Sequence, residues 1–83
     1  MIQENAKKII KYMLGQAISN GDLSSFFIRY DTLTEKLELE SENLCRICCQ
    51  YLNQLGYIKV IRNDDGNRLV ELTAKGIDFL ESD

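Results

Sequence analysis

The apolar residues of this chain change their spacing most clearly at Gly56. Over Ile2 to Ile18 and Leu44 to Leu55 they recur at three or four positions, and from Tyr57 to Leu72 they alternate. The first spacing belongs to helices that bury one stripe, the second to strands that bury one face. Gly56 stands at the change, and Asn63-Asp64-Asp65-Gly66-Asn67 cuts the alternating stretch in two. Such a chain is constrained to a helical part followed by an antiparallel hairpin. Its 83 residues leave room for one small core. Helices and hairpin must therefore share that core, and residues 1–83 are expected to form a single domain.

Each segment carries its own boundary signals. Ile2, Ala6, Ile9, Ile10, Met13, Leu14, Ala17 and Ile18 predict an amphipathic helix from about Ile2 to Ser19, stopped by Asn20-Gly21. The stretch from Ser25 to Tyr30 is aromatic and β-branched and reads as a brief strand. Asp31 is the expected N-cap of a short helix over Thr32 to Glu38, and Ser41 that of a third helix from Glu42 to Leu55. On that third helix Leu44, Ile47, Cys48, Tyr51, Leu52 and Leu55 are expected to face inward. Gly56 then fits the left-handed position after it. Strands are expected over Tyr57 to Arg62 and Arg68 to Leu72, with Asp65-Gly66 at the tip. Thr73 can cap a last helix from Ala74 to about Glu81. The expected core joins Leu37, Leu44, Cys48, Leu52, Leu55, Ile58, Val70 and Leu72 to Ala6, Ile10 and Met13.

This order of elements resembles the winged helix-turn-helix family of DNA-binding regulators, of the small bacterial or phage type. One stretch that carries the resemblance runs from Leu33-Thr34-Glu35-Lys36-Leu37 through Ser41-Glu42-Asn43-Leu44 to Leu55-Gly56-Tyr57-Ile58. The other is Leu72-Thr73-Ala74-Lys75-Gly76 with Phe79-Leu80-Glu81 after it. The resemblance implies an α+β, mostly α fold: a three-helix core, a small antiparallel sheet with a β-hairpin wing, and a C-terminal helix. It further implies that the helix over 42–55 enters a major groove of double-stranded DNA while the hairpin touches flanking backbone or minor groove. Asn43, Arg46, Gln50 and Asn53 then carry side chains suited to base edges, and Lys36, Arg62 and Arg68 carry charge for phosphates. The expected function is sequence-specific DNA binding by a small transcriptional regulator.

The charge pattern favours a different reading. Ten basic against thirteen acidic residues give a net charge of −3, so a strongly basic nucleic-acid binder is excluded. Residues 41–56 and 57–73, which would face DNA, are each neutral, and Glu35, Glu38, Glu40 and Glu42 form an acidic run. A winged helix that binds a protein partner and no DNA fits those charges as well. A homodimer through one edge of the first helix, Leu14 and Ile18 with Phe26 or Phe27, is a further possibility, because that helix is apolar over half its circumference.

Catalysis is not expected. The chain has no His, and it shows no nucleophile elbow, no glycine-rich phosphate loop and no paired carboxylates with a cleft. The Asp64-Asp65-Gly66-Asn67 run lacks the spacing of a calcium loop. The three cysteines, Cys45, Cys48 and Cys49, are too few for a structural zinc site within one chain and lie within a helix rather than at its start. Helical spacing points Cys48 inward, Cys45 to the core edge and Cys49 outward. Apolar filling is the leading role, and an intermolecular zinc site or thiol sensor through Cys49 and Cys45 is the competing one. No cofactor and no metal is expected. Neither a signal peptide nor a membrane-spanning run is visible, so a reduced, cytoplasmic protein, complete as it stands, is the expectation.

Overall fold

The computed structural model describes residues 1–26, 29–62 and 68–82, apart from the side chains of Ser25, Phe26, Arg62 and Arg68. Among the described residues the chain forms α1 (Ile2–Asn20), β1 (Ser24–Phe26), α2 (Tyr30–Lys36), α3 (Glu42–Gln54), β2 (Ile58–Arg62), β3 (Arg68–Leu72) and α4 (Ala74–Glu81). The fold is α+β and mostly helical. The expected Asp65-Gly66 turn lies outside the described residues.

The sheet has the order β1-β3-β2, antiparallel throughout. In the hairpin Ile58 faces Leu72 and Val60 faces Val70. Alternation then puts these four side chains on one face, where Ile58, Val70 and Leu72 are buried. That face closes over α1, whose Ala6, Ile9, Ile10, Met13 and Ala17 are buried. Gly21 ends α1 in the left-handed conformation at φ 68°. The amides of Gly21 and Asp22 both reach the Ala17 carbonyl, at 2.8 and 3.2 Å.

Two caps fall where expected. The Ser41 hydroxyl accepts the Leu44 amide at 3.1 Å, and the Thr73 hydroxyl accepts the Gly76 amide at 3.1 Å. Thr73 also reaches back: its hydroxyl lies 2.7 Å from the Gly56 carbonyl and 3.0 Å from that of Tyr57. The start of α4 is thereby tied to the turn after α3, where Gly56 is left-handed at φ 77°. Tyr57 stacks on Phe79 of α4 with ring centres 4.6 Å apart.

Four expectations need correction. Asp31 does not cap α2, which starts at Tyr30 with Arg29 as N-cap; Asp31 accepts the Thr32 amide within the first turn and pairs with Arg29. Tyr30 is accordingly helical and not the end of a strand. The helix also ends at Lys36, because Glu38 takes a left-handed conformation at φ 54° and Leu39 is turned into the core.

The fourth correction concerns the rotation of α3. Cys45, Cys48, Cys49 and Leu52 are buried, whereas Leu44, Tyr51 and Leu55 are half-buried. Ile47 is 49% exposed, and Cys49, expected outside, is 3% exposed. The helix buries its cysteine edge, with Cys48 under the start of α1 and Cys45 against Thr34 of α2, about 80° from the face its large apolar residues favour. Leu37 is likewise half-buried rather than core.

Gly76 is packed hard against its neighbours. A methyl group there would strike the Tyr57 carbonyl and approach Ile10 Cδ1 to 2.9 Å. Gly15, in the middle of α1, has nothing within 4 Å of the same added atom. The two glycines should answer oppositely to alanine in urea denaturation. Gly76→Ala should lose about 1–3 kcal/mol by overpacking, and Gly15→Ala should gain about 0.5–1 kcal/mol as an exposed helical site. Equal responses would contradict this packing.

Candidate nucleic-acid interface

α3 is held on its inner side by α1 and at its C-terminal end by the Gly56–Thr73 link. Its outer side is left to solvent. There Asn43, Ile47, Gln50 and Gln54 recur at four, three and four positions, and all are exposed. They form one row about 16 Å long on the helix surface. Arg46 and Asn53 lie beside that row and are also exposed. Asn43, Arg46, Gln50 and Asn53 are thus brought to one side of one helix.

Arg46 is engaged within the fold. Its guanidinium is 3.6 Å from the Glu42 carboxylate and 4.6 Å from the centre of the Tyr30 ring. The ion pair joins half-exposed side chains one turn apart and contributes only a few tenths of a kcal/mol. The contact with the ring adds on the order of 0.5–1 kcal/mol. Together they lay the only basic side chain of α3 along the helix toward α2.

Lys36 is not part of this row. Its ammonium is 3.4 Å from the Tyr12 hydroxyl and 5.5 Å over the Tyr12 ring, which joins the end of α2 to α1. Arg62 and Arg68 are directly paired in the hairpin register, and their side chains lie outside the described residues. Lys59, on β2, is exposed.

Sequence reasoning missed Ile47 and Gln54. Ile47 was assigned inward because it is large and apolar at helical spacing from Leu44 and Tyr51. The signal against that assignment was the trio of cysteines, which are small and are among the most buried residue types. Gln54 stands at the end of α3 and completes the row that Asn43 begins.

The cysteines contribute no reactive group to this surface. Cys48 Sγ is 3.7 Å from the Ile2 carbonyl, under the start of α1. Cys45 contacts Thr34 and Cys49. Burial raises all three thiols above their ordinary value, and Cys49 most, with Cys45 and Cys48 adding to its shift. A sensor built on an outward Cys49 is ruled out by its burial. Among the described residues no three His, Cys, Asp or Glu side chains are arranged to hold a metal ion, and no helix is long and apolar enough to cross a membrane.

No protein-family model, curated protein or solved structure matches the chain.

The thiols make stability depend on alkaline pH. The folded chain keeps their protons to higher pH than the unfolded chain does. Their contribution is therefore complete below the ordinary thiol value of 9.0 and is lost as pH rises above it. Cys49 alone should remove about 1.4 kcal/mol per pH unit above that point, until its folded value is reached. Unfolding free energies measured in urea between pH 8 and pH 10.5 should fall less steeply for Cys49→Ala than for the parent (these pH values are set about the thiol range). Identical slopes would show that Cys49 is not held neutral by burial.

Proposed function

We propose that this protein is a winged helix-turn-helix domain that binds double-stranded DNA at specific sites and acts as a small transcriptional regulator. In this reading α3 lies in a major groove. The β2–β3 hairpin acts as the wing and touches backbone or minor groove beside it. Regulation is by occupancy of an operator and involves no chemistry.

The observation that carries the reading is the exposed row on α3. Amide side chains at Asn43, Gln50 and Gln54 offer the donor–acceptor pair that matches adenine, and Asn53 adds another beside them. Ile47, exposed between Asn43 and Gln50, supplies apolar contact of the kind that a thymine methyl group accepts. Arg46 can reach a guanine or phosphate only by leaving Glu42 and Tyr30, so its contribution is reduced by those contacts. Phosphate contact falls to the hairpin arginines Arg62 and Arg68, with Lys59 and Lys36 as further charges. With so few cations the affinity for random duplex is low.

The second reading is a winged-helix domain that binds a protein and no DNA. It is favoured by the half-exposed Ile47 in the middle of α3 and by the overall charge of −3. A salt-dependent titration separates the two. A duplex selected from a random pool should bind with a slope of log K against log salt of about −3 to −4.5. Gln50→Ala should weaken the selected site by about 1–3 kcal/mol and leave random duplex nearly unchanged. Arg62→Ala should weaken both alike and reduce the slope by about one. Absence of binding to any duplex at low salt would exclude the DNA reading and leave the protein-binding one.

A further inference from the structure

Beside its buried stripe, α1 carries a second row. Lys7, Lys11, Leu14 and Ile18 recur at four, three and four positions and so lie along one line of the helix. Ile18 is 74% exposed and Leu23, just beyond the helix, is 44% exposed. A groove of about 340 Å³ lies between them, walled by Leu14, Ala17, Gly21 and Ile77, with Asp22 at its rim. A second groove of about 460 Å³ adjoins at Leu14 and runs toward the start of α1 past Lys11, Lys8, Lys7 and Leu80, with Glu4 and Glu81 also in its wall. The two form one strip that is apolar in the middle, with Lys11 flanking that middle on one side, Asp22 on the other, and a mixed end where Lys7 and Lys8 lie among Glu4 and Glu81.

We propose that this strip is where two copies of the chain associate, with their α1 helices crossing antiparallel about a twofold axis between Leu14 and Ile18. The charges select that arrangement. An interface between identical chains with twofold symmetry must be self-complementary. An antiparallel crossing centred near residue 16 sets Leu14 against the partner's Ile18. It also sets Lys11, five residues before the centre, against the partner's Asp22, six residues after it. A parallel crossing would set the lysines of one copy against those of the other, which is repulsive. Asp22 is already positioned, since its Oδ1 accepts the Ser24 amide at 3.0 Å. The strip leaves the exposed row of α3 uncovered, so the association does not depend on the DNA reading.

The contact is small. A helix of 19 residues is about 28 Å long and about 10 Å wide, well short of the roughly 800 Å² per partner of a standard interface. The dimer is therefore weak and must be sought at high concentration. Sedimentation equilibrium of the full chain from about 10 μM to 1 mM should show the mass rising from 9.6 kDa toward twice that value. Ile18→Asp, at an exposed position, should stay monomeric while keeping the circular dichroism and thermal midpoint of the parent.

The decisive test uses two charge reversals. Lys11→Glu alone and Asp22→Lys alone each place like charges at both symmetric contacts, and each should weaken dimerisation at least about tenfold. Mixed in equal amounts they restore opposite charges at both contacts, so the mixture should dimerise within about threefold of the parent, less so as salt rises. A parent that stays monomeric to 1 mM, a dimer indifferent to Ile18→Asp, or a mixture no stronger than its components would overturn the proposal.

Discussion

The packing of α3 on α1 governs the rest of the molecule. Ala6, Ile9, Ile10 and Met13 on one side, and Cys45, Cys48, Cys49 and Leu52 on the other, are all buried. Three of the four α3 residues are cysteines, which fill a core as small apolar side chains. A thiol also buries at lower cost than a hydroxyl or an amide, because it hydrogen-bonds only weakly. Burial keeps these thiols neutral, which suits a seam with no buried charged or polar residue among those described. Once the cysteine edge of α3 is fixed against α1, the opposite side is fixed as well. Asn43, Ile47, Gln50 and Gln54 are exposed as a consequence of where the sulfur atoms go.

A second junction holds the sheet and α4 to that helix pair. Thr73 accepts from Gly76 and reaches the carbonyls of Gly56 and Tyr57, so one side chain serves a cap and a tertiary link. Gly76 leaves room for the Tyr57 carbonyl, and Phe79, one turn further on, stacks on the Tyr57 ring. The Leu-Thr-x-Lys-Gly run at 72–76 thus has a physical reading at each end. Leu72 is core, Thr73 is the link and Gly76 is the clearance. These contacts fix where the hairpin leaves α3.

The elements were largely legible in the sequence because each carries a local signal: a period, a cap residue or a left-handed glycine. Ser41, Thr73, Gly21 and Gly56 each act as their chemistry requires. What could not be read locally was set by tertiary contact. Periodicity weighs Ile47 as core because isoleucine is large and apolar, yet the buried side of α3 is taken by Cys45, Cys48, Cys49 and Leu52. The start of α2 was misplaced because Asp31 is a favoured cap residue, while the chain has already turned helical at Tyr30, whose ring receives Arg46. Arg46 itself was read as free for a base. Its partners, Glu42 four residues away and Tyr30 on another helix, become visible only when both helices are in place. Of the candidate interface, Asn43, Gln50 and Asn53 were legible as exposed amides on one helix side, whereas Ile47 and Gln54 required its true rotation.

That rotation is the claim on which both the buried thiols and the exposed row stand. It can be measured directly by methyl NMR of the folded chain with a soluble paramagnetic agent. The Ile47 methyl groups should be strongly broadened, and those of Leu52, which is fully buried, should be protected to the same extent as those of Ile9 and Ile10. Protection of Ile47 to the same extent as Leu52 would contradict the account and return α3 to the orientation that its large apolar residues suggest.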